Sequence, residues 1–123
     1  MRAVRYHEHG DESVLTLETV DKPTPARGEV LVGIEAASVN PIDTYVREGG
    51  VEPAGGLPHV GGADMAGVVE AVGEGVTRVE PGDRVAVSAG VSCGECEFCR
   101  HGEESLCPSF HIIGEHVRGV HAE

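Results

Sequence analysis

Four cysteines, Cys93, Cys96, Cys99 and Cys107, fall within fifteen residues at the spacing C-x2-C-x2-C-x7-C. Four thiolates can surround one tetrahedral zinc ion at about 2.3 Å each, and two-residue gaps let a tight loop aim successive ligands inward. Gly94 between the first two ligands helps that turn. The rest of the run is polar, with Glu95, Glu97, Arg100, His101, Glu103 and Glu104. Little apolar surface is left to hold it folded, so a metal would supply the order, its binding energy appearing directly as folding energy. The spacing therefore predicts a structural zinc lobe over about residues 91–110. Disulfides are a rival reading, since four cysteines allow three pairings. An iron–sulfur cluster is another, because C-x2-C-x2-C opens the bacterial ferredoxin run and Pro108 follows Cys107. That run needs a three-residue gap before its fourth cysteine and further ligands elsewhere. A catalytic zinc would keep an open position, which four cysteines close.

The chain that must carry this lobe has 123 residues, enough for one domain with one modest core. It lacks Trp and is 3% aromatic, so the expected core is aliphatic. Eighteen Gly and seven Pro suit a turn-rich β protein. A net charge of −12 argues against nucleic acid or an anionic membrane as partner. No apolar run reaches the length of a membrane span, and the N-terminus lacks the apolar core of a signal peptide. The expected setting is the cytoplasm. Lys22 is the single lysine among nine cations; such an acidic, lysine-poor surface fits a high-salt interior, or simply an acidic protein rich in Arg.

Periodicity places the elements. Arg2–Glu8 and Val14–Val20 alternate apolar and polar residues and read as neighbouring strands joined by a polar turn. Pro23 and Pro25 leave a loop. Glu29–Val39 reads as a long strand interrupted, and bulged, at Gly33. Asn40-Pro41-Ile42-Asp43 is a helix start, with Asn at the cap, Pro at the first position and Asp where the dipole favours it. That helix runs to about Glu48 and stops at Gly49-Gly50. Ala63–Val72 and Arg84–Ser88 read as strands, and His111–Ala122 has weak β character. The sum is a mainly β domain, a partly open barrel with one short helix and the metal lobe. The last residues, His121-Ala122-Glu123, form no finished element, which suggests a fragment.

In this order the pieces resemble the N-terminal, GroES-like domain of the medium-chain dehydrogenase/reductase superfamily. The resemblance rests on Gly28-Glu29-Val30-Leu31-Val32, Asn40-Pro41-Ile42-Asp43-Thr44-Tyr45, Leu57-Pro58, the run Gly62 to Val69, Val72-Gly73, Gly82-Asp83-Arg84-Val85, the cysteine lobe and Gly114-Glu115-His116. Zinc alcohol dehydrogenases of that superfamily carry a ligating Cys after the long strand and a G-H-E motif. By motif, those ligand positions are Asn40 and Ala63 here, and Gly62-Ala63-Asp64 stands for G-H-E. Alanine cannot ligate and asparagine is a poor zinc ligand, so the resemblance implies that the catalytic zinc is absent. His59 is a remote candidate for a displaced ligand and reads as a solvated loop residue. Ser38 to Asp43 and Gly62 to Gly73 look instead like the quinone oxidoreductase, zeta-crystallin-like branch, although many of its members lack the cysteine lobe.

This resemblance implies hydride transfer from NADPH or NADH to a quinone or other small electrophilic carbonyl, without catalytic zinc. It implies a Rossmann cofactor domain absent from residues 1–123, a homo-oligomer when full length, and an inactive isolated fragment. Gly73-Glu74-Gly75-Val76-Thr77-Arg78 ends in Arg rather than Gly and reads as a turn, not a phosphate loop. Asn40, Asp43 and Tyr45 are the candidate catalytic residues, and Asn40 also the candidate contact to the nicotinamide. Each has a structural alternative: Asn40 and Asp43 as helix caps, Tyr45 as a helix–barrel filler. Asp64 is expected to hold local structure through Arg84 or a backbone amide. The remaining histidines, His7, His9, His101, His111, His116 and His121, show no ligand spacing. Two other readings stay open: an alcohol or sugar dehydrogenase with substituted ligands, and a stand-alone zinc-stabilised β module for interaction.

Overall fold

The computed structural model describes residues 1–123. The first two strands, β1 (Arg2–Arg5) and β2 (Thr16–Thr19), form an antiparallel pair that sets Arg2 opposite Thr19 and Arg5 opposite Thr16. Both are shorter than their alternation suggested. The Glu12–Val14 segment makes a 3₁₀ turn capped by Asp11, whose carboxylate accepts the Ser13 N–H at 2.9 Å.

The central sheet runs β3 (Val30–Ala37), β4 (Met65–Val72), β5 (Arg84–Val87), all antiparallel. Its register slips between Leu31 and Val32 and again between Ile34 and Ala36. The irregularities thus flank Gly33 rather than sit on it, and the residues left without a partner are Glu70 and Glu35. Each meets a cation: Lys22 at 2.5 Å from Glu70 and Arg84 at 3.0 Å from Glu35. A short pair, β6 (Gly90–Val91) with β7 (His111–Ile112), brackets the cysteine loop. Most of the stretch after Ile112 is not a strand, because its bonds go to loops. Gly119, Val120 and His121 N–H groups donate to the carbonyls of Val60, Gly62 and Gly61, and Val4 N–H donates to His121 O at 2.8 Å. The final residues are therefore tied to β1, with Ala122 bridged to Ala3.

No barrel closes. The inner faces of β3, β4 and β5 and the C-terminal segment border an open apolar trough of about 890 Å³, lined by Ile34, Met65, Val69, Val85 and Val120 among others. Buried Val60, Val69 and Val120 line it, and Ala3, Tyr6, Val46 and Ala63 are buried elsewhere in the domain. The aliphatic core that composition suggested is centred on an aromatic, since Tyr6 is 2% exposed and edge-on to His59 with ring centroids 5.6 Å apart. Burial pushes the Tyr6 hydroxyl up to about 12, so it stays protonated.

Helix α1 (Pro41–Arg47) starts where its sequence predicted. Asp43 accepts the Asn40 N–H at 2.7 Å, the return arm of a capping box. Val46, 1% exposed, pins the helix to the core.

Candidate functional site

The cysteine loop is built from a turn, one helical turn and a second tight turn. Gly94 at φ +76 makes the first reversal, a backbone state costly for other residues. Helix α2 (Glu97–Arg100) then places Cys96 at its cap and Cys99 within it. A 3₁₀ turn, Glu104–Leu106, delivers Cys107. The four sulfurs lie within 4.8 Å of one another. Cys96 and Cys99 Sγ are 3.5 Å apart, and Cys93 and Cys99 Sγ 3.9 Å. A tetrahedron with metal–sulfur distances of about 2.3 Å has edges of about 3.8 Å, so the two closest pairs already match zinc and the wider ones need to contract by no more than about 1 Å.

The backbone is also set for thiolates. Cys96 N–H points at Cys93 Sγ at 3.3 Å, and the amides of Cys93 and Ser109 point at Cys107 Sγ at 3.5 and 3.4 Å. Amides of Glu95 and Cys96 draw the Cys93 thiol down to about 6. The Cys99 amide pulls Cys96 the same way, but burial and the neighbouring sulfurs prevail and push it up to about 11. Four thiols this close cannot all lose their protons without strong repulsion between the thiolates, and a divalent cation offsets that charge. No histidine joins the cluster: His111 Nδ1 bonds Ser109 O, and His116 Nδ1 accepts the Ile112 N–H.

The second cluster sits where β3 meets α1. Asn40 Nδ2 donates to Asp64 Oδ2 at 2.7 Å and to Ser38 Oγ at 3.0 Å. Ser38 Oγ donates in turn to Asp64 Oδ2 at 3.2 Å. Asp64 therefore answers Asn40 and Ser38, not Arg84, whose partner is Glu35. Asp43 turns both carboxylate oxygens to backbone, Oδ2 to Asn40 N–H and Oδ1 to Gly62 N–H at 3.1 Å. It ties the helix start to the glycine pair ahead of Ala63. Tyr45 stands apart. Five positions beyond the cap it points about 140° away around the helix, it is 54% exposed, and its ring lies against Gly50. So the structure brings Asn40, Asp43 and Asp64 together and leaves Tyr45 on another face.

Ala63, next in sequence to Asp64, is buried at 5% exposure and offers no ligating atom. His59 offers no replacement ligand. It is 4% exposed rather than solvated, its Nε2 bonds Gly114 O at 3.1 Å, and burial holds its pKa below the ordinary 6.5. Its backbone pairs with Tyr6 in both directions.

Residues 26–123 match the alcohol dehydrogenase GroES-like domain family. The chain belongs to this family. As a GroES-like domain it is similar to the quinone oxidoreductase of Rattus norvegicus, 39% identical over 109 residues covering 88% of this chain and 33% of that protein. It is also similar to the alcohol dehydrogenase of Moraxella sp. (strain TAE123), 41% identical over 124 residues, 100% of this chain and 36% of that one. Among solved structures, an NAD-dependent alcohol dehydrogenase superposes with TM-score 0.90 at 47% identity, over 98% of this chain and 35% of that one. The cobalt- and zinc-bound alcohol dehydrogenase of Pyrobaculum aerophilum gives 0.89 at 39%, over 97% and 36%. This chain spans about a third of the length of these relatives.

Two residues of this GroES-like domain escaped sequence reasoning. His59 becomes a core residue through a partner 55 positions away, and His121 reaches Ser38 O at 3.1 Å across 83 positions. The signal that could have found His121 is Gly62 at φ +97, where an added Cβ would stand 2.6 Å from His121 Cδ2.

Proposed function

We propose that this chain is the catalytic-domain part of an NAD(P)H-dependent oxidoreductase that reduces quinones or similar electrophilic carbonyls without a catalytic zinc, with one zinc held structurally by Cys93, Cys96, Cys99 and Cys107. One observation carries the reading: the side-chain network at the helix start is closed by Asn40 and Asp64, with a methyl group at Ala63. That network needs no cation to satisfy it, since Asn40 Nδ2 and Ser38 Oγ already share Asp64.

A nicotinamide, when bound, supplies the hydride from its C4. Gly73 and Gly75 belong to the turn leaving β4, where Gly73 N–H bonds Glu29 O, so they form no phosphate cradle. The nucleotide site is therefore proposed to lie outside these 123 residues. What the chain contributes is positioning. With both Nδ2 hydrogens committed, Asn40 has its side-chain oxygen left to accept a hydrogen bond, as from a carboxamide N–H. Asp43 holds Asn40 and Gly62 at fixed separation through backbone amides. Tyr45, on its exposed face, offers a hydroxyl to an acceptor oxygen that extends past the helix. Orientation of this kind replaces the polarising role a metal would play.

The test is metal content per chain and activity of the protein that carries the nucleotide-binding part. The expected result is one zinc, NAD(P)H-dependent quinone reduction, and loss of that reduction in Asn40→Ala. Two zincs with alcohol oxidation would overturn the reading and favour the alcohol dehydrogenase relatives. A chain with one zinc and no reductase in any assembly would instead be a zinc-stabilised interaction module.

A further inference from the structure

We propose that His121 is a positioning residue for Asn40, acting through Ser38; this inference rests on the functional reading above. Ser38 is the hub of the cluster. Its N–H donates to Asp64 O at 3.2 Å, its Oγ accepts from Asn40 and donates to Asp64, and its carbonyl oxygen accepts from His121 Nε2 at 3.1 Å. All three polar groups of Ser38 are thus engaged. Ser38 is the one residue that bonds both the Asn40 amide and the His121 ring.

His121 is itself held from two sides. Its N–H donates to Gly61 O at 2.9 Å, and its carbonyl accepts the Val4 N–H at 2.8 Å. Its ring lies over Gly62, at a spot where no side chain on residue 62 could stand. With Nε2 set on a carbonyl oxygen, which can only accept, that nitrogen must carry the hydrogen, so the neutral ring is the Nε2–H tautomer. The imidazole therefore clamps the end of β3 to the Gly61–Asp64 loop. That loop carries the carboxylate to which Asn40 is bonded. A weaker clamp frees the Ser38–Asn40 segment to swing while leaving the helix cap made by Asp43 intact.

The experiment uses the zinc-loaded, ¹⁵N-labelled 123-residue chain. Long-range ¹H–¹⁵N spectra should show His121 in the Nε2–H form, and the two Asn40 side-chain amide hydrogens should be shifted apart and slow to exchange. His121→Phe keeps a flat ring and removes the donor; Asn40 amide exchange should rise by about fivefold, the effect of losing one ordinary hydrogen bond. His121→Gln, which restores a donor, should recover part of the protection. An Nδ1–H tautomer in the unaltered chain overturns the inference even if the Phe variant does not fold. Unchanged Asn40 exchange in the Phe variant, or a Gln variant no better than Phe, overturns it as well. The functional reading fails separately: an Asn40→Ala change that leaves quinone reduction intact would remove the reaction that Asn40 is positioned for, whatever His121 does.

Discussion

Removing the metal should melt the cysteine lobe and spare the rest of the domain. Between Cys93 and Cys107 one residue, Cys107, is buried. Six backbone donors hold the segment together, the N–H groups of Arg100, His101 (shared between two carbonyls), Gly102, Glu103, Leu106 and Cys107, each bonded to carbonyls three to five positions earlier. Each contributes about 1 kcal/mol net. Fixing each of the fifteen backbones costs about 1 kcal/mol or more. The local bonds therefore lose, and the metal decides. With free zinc a thousandfold above its Kd, binding stabilises the ordered loop by about 4.1 kcal/mol, which corresponds to about a thousandfold slower amide exchange. Hydrogen exchange followed by mass spectrometry, before and after chelation, reads this directly. The six lobe amides should lose about that much protection. Val69 N–H on Asp83 O and Tyr6 N–H on His59 O should keep theirs, because their surroundings are buried independently of the lobe. Two results would refute the reasoning: unchanged protection at Cys96–Cys107 in protein shown by elemental analysis to be metal-free, or equal loss at Tyr6 and Val69.

Other changes test the core and the glycine pair. Val46→Ala removes two buried methyl groups from the helix contact and should cost about 1.5–3 kcal/mol, visible as a lower Tm in thermal denaturation. Gly62→Ala forces an alanine into φ +97, costing about 1–2 kcal/mol, and pushes on the His121 ring; Tm and the His121 resonances should change together. His59 gives a pH dependence. Its pKa is lowered in the fold by burial, so the folded state binds its proton less readily than the unfolded chain. The stability it contributes is complete above the ordinary 6.5 and is lost as pH falls from there through the lowered folded value. His59→Gln keeps a donor for Gly114 O and removes the titration. Denaturant melts at pH 7 and pH 5 should therefore show a smaller loss for the variant than for the parent chain, and equal losses would discount His59 as the source.

Local chemistry was legible in the sequence and long-range partnership was not. The metal lobe and the helix start are each specified within fifteen residues, where spacing alone fixes which ligand or cap can reach which group. The four cysteines converge, and Asn40-Pro41-Ile42-Asp43 opens a helix, for that reason. Apolar runs set between Gly- and Pro-containing turns marked the central sheet. Strand alternation overran at β1 and β2, where the pattern continues past the last paired residue. Asp64 shows the limit most clearly. An acidic residue on a strand near an arginine suggests an ion pair, but a bulge hands Arg84 to Glu35, and register shifts of that kind leave no local mark. His59 and His121 share this property, because each acquires its role from a carbonyl 55 or 83 positions away. The glycines are the trace such contacts do leave. Gly62 and Gly114 stand where any Cβ would strike His121 or the Gly62 carbonyl, so a cluster of glycines beside a histidine marks a crossing point of the chain. At this crossing Asp43, Asp64 and His121 converge on the residues around Asn40, and the edge of the proposed active site is as rigid as those three hydrogen-bonded ties make it.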